Sequence, residues 1–384
     1  MKKIIIRTLS YVLVAALASA LTLTIWGPKY SKIEEVKAYI NKYFVDDVDM
    51  TKAEDAAAAA MIYSLGDQWS YYIPASEFAA FMEIKNNAFY GIGVTIQVRE
   101  DGIGEDIIEV KPGGAAQKAG ILPGDILIKV NGQSIAGMDT SQVTELISGE
   151  EGSSVTVTVL RDGEEKDFTM KRQIIHVPVV ESEMLEGNIG LIKLRNFNEN
   201  CAAETIAAIK KLQEEGATKL IFDVRNNSGG YVREMLKVLD YLLPEGVIFR
   251  EQDQHGNESV EKSKASCLEI PMAVMVNGDS YSAAEFFAAC LQEKQWAAVV
   301  GERTTGKGHY QNTFRLSDGS AINISTGKYF TPNGVNLTDT KGIVPDVEEI
   351  VDQKTAALIY AGVVPAAEDT QIQAAVKYLQ EKKG

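Results

Sequence analysis

Residues 219–243 read KLIFDVRNNSGGYVREMLKVLDYLL. The run 219–224 is short and apolar and ends in an Asn-Asn-Ser-Gly-Gly turn, the pattern of a buried strand. Residues 231–243 then repeat apolar side chains at helical spacing. The same unit recurs on both sides. A strand is expected at 189–194 with a helix at 201–215, then a strand at 272–276, a helix at 282–294 and a strand at 296–300. Strands that alternate with helices predict a mostly parallel sheet covered by helices, an α/β arrangement.

Upstream of this block the pattern changes. From Ala88 on, short β-branched strands are separated by glycine turns. GIGVTIQV (91–98) alternates and reads as a strand, and 106–110 reads as another. GGAAQKAGILPGDILIKVNGQSI (113–135) contains a short helix, a Pro-Gly-Asp turn, a strand and an Asn-Gly turn. An amphipathic helix is expected at 139–147, and strands at 154–161 and 165–171 flank a hairpin turn at Asp162-Gly163. Residues 28–86 read as helical, chiefly 31–44 and 52–65, with one further turn at 77–82. Two closing helices are expected at 352–362 and 369–382.

The chain opens MKKIIIR, followed by an apolar run from Tyr11 to Trp26. This has the form of a signal sequence or a single signal anchor. Lys2, Lys3 and Arg7 place the N-terminus in the cytoplasm and the remainder outside. Ala18-Ser19-Ala20 has the form of a cleavage site, which would release a secreted protein, but Leu21–Trp26 stays apolar beyond it, which favours a retained membrane anchor. The composition is that of a globular protein, with 384 residues, 45% hydrophobic and 24% charged. With 38 basic against 53 acidic residues the net charge is −15, which excludes the basic footprint of a nucleic-acid binder. Cys201, Cys267 and Cys290 form no CxxC pair, so neither a disulfide framework nor a zinc site is expected. The three histidines, His176, His255 and His309, restrict any histidine mechanism to few candidates.

Residues 88–173 resemble a PDZ domain. Gly91-Ile92-Gly93-Val94 has the form of a loop whose N–H groups converge on a peptide's terminal carboxylate, and AGILPGDILIKVNG follows it. Three motifs follow in order: FDVRNNSGG (222–230), VNGDSYSAAE (276–285) and GERTTGKGHYQ (301–311). With these the chain resembles the carboxyl-terminal processing proteases, the tail-specific serine proteases. DQWSYYIPASEF (67–78), GIVPDVE (342–348) and EDTQIQAAVKYL (368–379) extend the likeness to nearly the whole chain beyond the anchor. The resemblance implies a crotonase-like (ClpP/crotonase-type) α/β serine protease domain with an inserted PDZ domain. The expected domains are an anchor at 1–27, a helical segment at 28–87, the PDZ at 88–173, the catalytic domain at 174–350 and a helical segment at 351–384.

The resemblance further implies a serine–lysine dyad. Ser280 and Ser282 compete for the nucleophile. Ser282 matches the family pattern, being followed by Ala283, Ala284 and Glu285 and standing 25 positions before Lys307. Lys307 is the implied general base. At the ordinary lysine pKa of about 10.4 it would be protonated at neutral pH, so its site must lower that value. Gln311 matches the family residue that orients the lysine. The oxyanion donors are the Ala283 N–H and an N–H of either Gly229 or Gly230. His309, two residues beyond Lys307, is the rival base. Two positions depart from the family: Ser228 stands where proline is usual, and Tyr281 where a small residue is usual. The expected function is an extracytoplasmic endopeptidase that reads apolar C-terminal tails of protein substrates through its PDZ. No cofactor or metal is expected, and the helical ends suggest a homodimer. The alternatives are an inactive PDZ scaffold on a protease fold and, from fold alone, an acyl-CoA enzyme. The PDZ and the export signal disfavour the second.

Overall fold

The computed structural model describes residues 32–99 and 101–381. The expected anchor at 1–27 lies outside the described residues, and among those described no helix is long and apolar enough to cross a membrane. The chain divides into two compact units, one ending at Tyr72 and the other beginning at Ile73.

The first unit holds helices Lys32–Tyr43 and Met50–Tyr63, neither of which buries a residue. Asp49 caps the second helix by accepting the Thr51 N–H at 3.1 Å, which satisfies one of the donors a helix start leaves unpaired. The Tyr72 hydroxyl donates to Asp55 at 2.6 Å.

In the second unit the α/β sheet is present as the sequence predicts. Val180–Leu185 pairs antiparallel with Ile189–Leu194, and Lys219–Asp223, Met272–Val276, Ala297–Gly301 and Val347–Glu348 continue the sheet in parallel. Successive strand residues face opposite sides. Leu220 and Phe222 therefore join the core under helices Cys201–Glu214, Val232–Leu242 and Ala283–Glu293. Ile221 faces Ile372, Ala375 and Leu379 of the closing helix Thr370–Glu381 on the other side. Phe197 and Phe222 both pack on Phe287, with ring centroids 5.5 Å apart in each pair. Burial of each such ring contributes about 1.5–3 kcal/mol.

A further sheet was not foreseen. Gly246–Asp253, Glu258–Ser263, His309–Arg315 and Ala321–Phe330 pair antiparallel. Strands such as ESVEKS and HYQNTFR are mostly exposed and carry little apolar pattern, so their pairing, not their burial, defines them. The helical turn expected at 77–82 is a full helix, Ala75–Asn86, ended by Asn87 at φ 46°.

The strands Val94–Val98, Glu105–Val110, Ile126–Val130, Ser154–Arg161 and Glu164–Lys171 form an antiparallel sheet with Val94–Val98 at one edge, and the short sixth strand Gln133–Ser134 pairs with Ile126–Val130. Its core includes Ile107, Leu127, Val143 and Val157. Helix Thr140–Ile147 starts with a reciprocal capping box between Asp139 and Gln142, at 2.9 and 3.1 Å. The run 91–98 is not one strand. It breaks at Ile92-Gly93, where Gly93 takes φ 81°, a conformation open to glycine at little cost. Ala88–Gly91 instead pairs with Gln173–His176, a two-stranded ribbon through which the chain enters and leaves this sheet.

Candidate active site

The parallel strands Lys219–Asp223 and Met272–Val276 lie side by side, and the loops at their carboxyl ends meet, the usual place for a site in an open α/β sheet. Asn226 and Asn277 join these loops: the Asn226 N–H and the Asn277 amide each donate to the other's side-chain oxygen, at 2.9 and 3.0 Å. The Tyr281 N–H donates to the Asn227 carbonyl at 3.1 Å. The two candidate serines separate clearly here. The Ser280 hydroxyl is fully buried, donates to the Val224 carbonyl at 2.7 Å and accepts from the Asn277 N–H at 3.0 Å. Ser280 therefore holds the loops together. Ser282 sits at the head of helix Ala283–Glu293 with φ 59° and ψ −128°, a conformation that L-residues rarely adopt and that persists only where the surroundings enforce it.

Glu285 does the enforcing. It is fully buried on the first turn of that helix. One carboxylate oxygen accepts the Ser282 N–H at 3.0 Å and the Lys307 N–H at 2.8 Å. The other accepts the Thr304 hydroxyl and the Gly306 N–H, both at 2.6 Å. The backbones of Ser282 and Lys307 are thus no further apart than two hydrogen bonds to one atom allow. Burial pushes the Glu285 carboxyl above its usual range, while the four donors pull it back. Each oxygen already faces two donors, so the ionised form is the one the hydrogen-bond geometry fits. The sequence carried a signal for this role, the capping-box spacing Ser282-Ala-Ala-Glu285, but not the reach to Lys307.

The lysine loop is anchored on the same elements. The Thr305 hydroxyl donates to the Gly278 carbonyl at 2.6 Å, and the Gly308 N–H donates to Thr338 at 3.0 Å. A side chain at Gly308 would stand 2.3 Å from the Asn336 amide oxygen, so glycine is required there. The Lys307 side-chain nitrogen lies 5.6 Å from the centroid of the Tyr281 ring. The unusual residue at 281 thus supplies a wall of the lysine's site. Gln311 lies on His309–Arg315, just after a register break with the neighbouring strand. Its amide nitrogen donates to Ser325 at 2.9 Å and to the His309 carbonyl at 3.2 Å. His309 lies opposite Lys328 in that pairing, and among the described residues no ion pair joins it to a carboxylate.

The two glycines differ. The Gly229 N–H donates to the Asn227 side-chain oxygen at 2.8 Å. A side chain at Gly229 would stand 2.9 Å from the Ala283 nitrogen and 2.9 Å from the Ser282 Cβ, so this residue abuts the serine directly. Gly230, at φ 147°, lies against Phe197, with a parallel bridge between the two.

The expected carboxylate loop also has suitable geometry. The Ile92 carbonyl accepts the Ala116 N–H and the Gly93 carbonyl accepts the Lys111 N–H, each at 2.9 Å. In a trans peptide the following N–H points opposite its carbonyl, so the Gly93 and Val94 N–H groups turn outward. A groove of about 50 Å³ runs from this loop along Ile96 to Thr144 and Ile147. The edge of Val94–Val98 that faces it pairs with no strand among the described residues. A larger cavity of about 320 Å³, lined among others by Lys193, Arg225 and Ile359, includes none of the expected site residues.

Comparison with known proteins agrees with this architecture. The model of peptidase family S41 matches residues 188–349, and a PDZ-domain model matches residues 107–161. The chain is 34% identical over 353 residues to the carboxy-terminal processing protease CtpA of Bacillus subtilis strain 168, covering 87% of this chain and 75% of that protein. It is 33% identical over 321 residues to a CtpA-like serine protease of Staphylococcus aureus strain COL, covering 83% of this chain. It spans 64% of the length of that relative. A solved structure of an S41 protease from Bacteroides fragilis is similar in fold at 16% identity and a TM-score of 0.52, covering 93% of this chain and all of that one. The chain belongs to the PDZ-containing peptidases of family S41.

Proposed function

We propose that this chain is an extracytoplasmic serine endopeptidase that captures apolar C-terminal tails of proteins in its PDZ groove and cleaves them with Ser282 and Lys307. The observation that carries the reading is Glu285, whose one oxygen accepts N–H groups from both residues and so gives a nucleophile and a base a common frame.

In this mechanism the neutral Lys307 amine takes the Ser282 proton as the hydroxyl oxygen attacks the scissile carbonyl. The Ala283 N–H and a donor from the glycine pair receive the oxyanion. Gly230 is the better donor, because the Gly229 N–H already has an acceptor in Asn227. The lysine then gives its proton to the leaving amine; neutral again, Lys307 takes a proton from a water whose oxygen attacks the acyl carbonyl, and that proton returns to the Ser282 oxygen as the acyl group leaves. With its amide nitrogen committed to Ser325 and His309, Gln311 presents its oxygen to orient the lysine. The tail carboxylate binds the outward N–H groups at Gly91–Val94, and the tail adds as a strand to the edge of Val94–Val98.

The domain division at 27, 87, 173 and 350, the membrane anchor at 1–27 and a homodimer are parts of the same proposal. The test compares the full chain with Ser282→Ala and Lys307→Ala on an unstructured protein with an apolar tail. Both substitutions abolish cleavage if the dyad is right, and undiminished cleavage by either one refutes it.

A further inference from the structure

The oxyanion glycines are held from a direction the mechanism does not use. Phe197 lies between them and the entry to the PDZ block. Its N–H donates to the Gly229 carbonyl at 2.7 Å, and its carbonyl accepts the Tyr231 N–H at 2.8 Å. There is no slack in this contact: a side chain at Gly230 would stand 2.4 Å from the Phe197 carbonyl carbon and 2.7 Å from the Asn198 nitrogen. The Phe197 ring is fully buried against Phe287, on the helix that Ser282 starts. Any displacement of Phe197 therefore moves the oxyanion segment relative to the nucleophile.

Phe197 is fastened in turn by a pair of amides. Asn87 and Asn196 exchange side-chain hydrogen bonds at 3.1 and 2.9 Å. The Asn87 amide also donates to the Glu199 carbonyl at 2.8 Å, and the Asn196 oxygen accepts the Asn198 N–H at 2.9 Å. Asn198 donates to the Ile84 carbonyl at 3.0 Å, while its own side-chain oxygen is buried and takes no donor among the described residues. Asn87 is itself buried and left-handed, which asparagine tolerates better than most residues. It stands directly before Ala88–Gly91, and its carbonyl accepts the Val177 N–H at 2.7 Å, just past the returning strand. On the other side, the Lys85 and Arg233 cations lie 6.0 and 3.8 Å from the Tyr231 ring centroid.

We propose that the Asn87–Asn196 amide pair is a positioning device for the oxyanion segment, acting through Phe197 on Gly229 and Gly230. The proposal rests on the peptidase reading above. Neither asparagine reaches the reacting atoms. Their effect is on where one oxyanion donor stands, and it joins the base of the PDZ ribbon to the catalytic loop.

The test uses the full-length chain with Asn196→Ala, Asn87→Gly and the double variant. Glycine adopts the left-handed backbone without strain, so Asn87→Gly removes the amide alone. The readouts are kcat and KM on a peptide with an apolar tail, the inhibition constant of a peptide boronate that places an oxygen in the oxyanion site, and the melting temperature. Each single variant is expected to lower kcat by roughly tenfold or more with KM within about twofold, and to weaken the boronate in proportion. The double variant should lose less than the product of the two single effects, because the shared pair is lost only once while the Glu199 and Asn198 bonds are lost separately. Unchanged kcat in both singles overturns the proposal. So does a change in KM alone, or a melting temperature that falls while kcat and the boronate affinity stay put. If the unsubstituted chain shows no Ser282-dependent cleavage, the peptidase reading itself falls and takes the proposal with it, a result recognisable before any asparagine is replaced.

Discussion

Replacing Glu285 by glutamine tests the frame of the site. The carboxylate takes four donors, two on each oxygen. Glutamine keeps one oxygen and turns an NH₂ toward two of those donors. The less damaging orientation keeps the oxygen on Ser282 and Lys307 and points the NH₂ at Thr304 and Gly306. The Thr304 hydroxyl can rotate to accept, but the Gly306 N–H cannot and is left facing another donor. One orphaned buried N–H costs about 1–3 kcal/mol, and losing the charge on the two retained bonds costs about 1 kcal/mol each. A total of roughly 3–5 kcal/mol is expected, enough to loosen the lysine loop without unfolding the domain. Alanine would strand all four donors and is the poorer probe. A misplacement of about 1 Å between nucleophile and base lowers kcat about a hundredfold. The assay is kcat and KM on a tailed peptide together with thermal melting. An E285Q enzyme with kcat within about threefold of the parent and an unchanged melting temperature would refute the claim that this carboxylate holds the two residues together.

Three further outcomes are expected. Gly229→Ala places a methyl 2.9 Å from both Ser282 and Ala283 at φ 86°, so kcat should fall roughly a hundredfold or more; near-normal turnover would show that the glycine is not part of the site. Thr144→Trp, at an exposed position lining the groove, should raise KM for tailed substrates while leaving an untailed peptide unaffected, and equal effects on both would contradict tail capture there. Glu105 is 2% exposed and neither carboxylate oxygen has a hydrogen-bond partner among the described residues. Burial, the largest influence, pushes its carboxyl up, and the nearby Asp139 charge adds to the shift. A folded pKa above the unfolded one contributes stability in acid that is lost as pH rises through the folded value. Glu105→Gln should therefore melt higher than the parent above that pH and flatten the dependence, which melting curves across pH 4–8 would reveal; an unaltered slope would count against it.

Much of the fold is local and was legible. The strand at 272–276 and the helices near 201–214 and 283–293 follow from apolar spacing and glycine turns, which depend on neighbours within a few residues. The hairpins at 246–263 and 309–330 were missed because their exposed strands carry almost no apolar period. The break at Gly93 was missed because GIGVTIQV alternates across it, although its two halves belong to different sheets.

For the site, the sequence by itself determined which residues could act: the order of the three motifs, the pair of serines, the lysine between glycines and the glutamate three positions after Ser282. Only the tertiary structure shows what each of them contacts. The Ser280 hydroxyl bonds Val224, 56 positions away. Gly229 is distinguished from Gly230 by the Asn227 side chain, which claims the N–H of the first. Glu285 becomes central because it reaches Lys307, 22 positions on, and Asn87 meets Asn196 across 109 positions. Periodicity and turn chemistry are properties of adjacent residues and can be read along the chain. Which donor finds which acceptor depends on parts of the chain that only folding brings within 3 Å of each other.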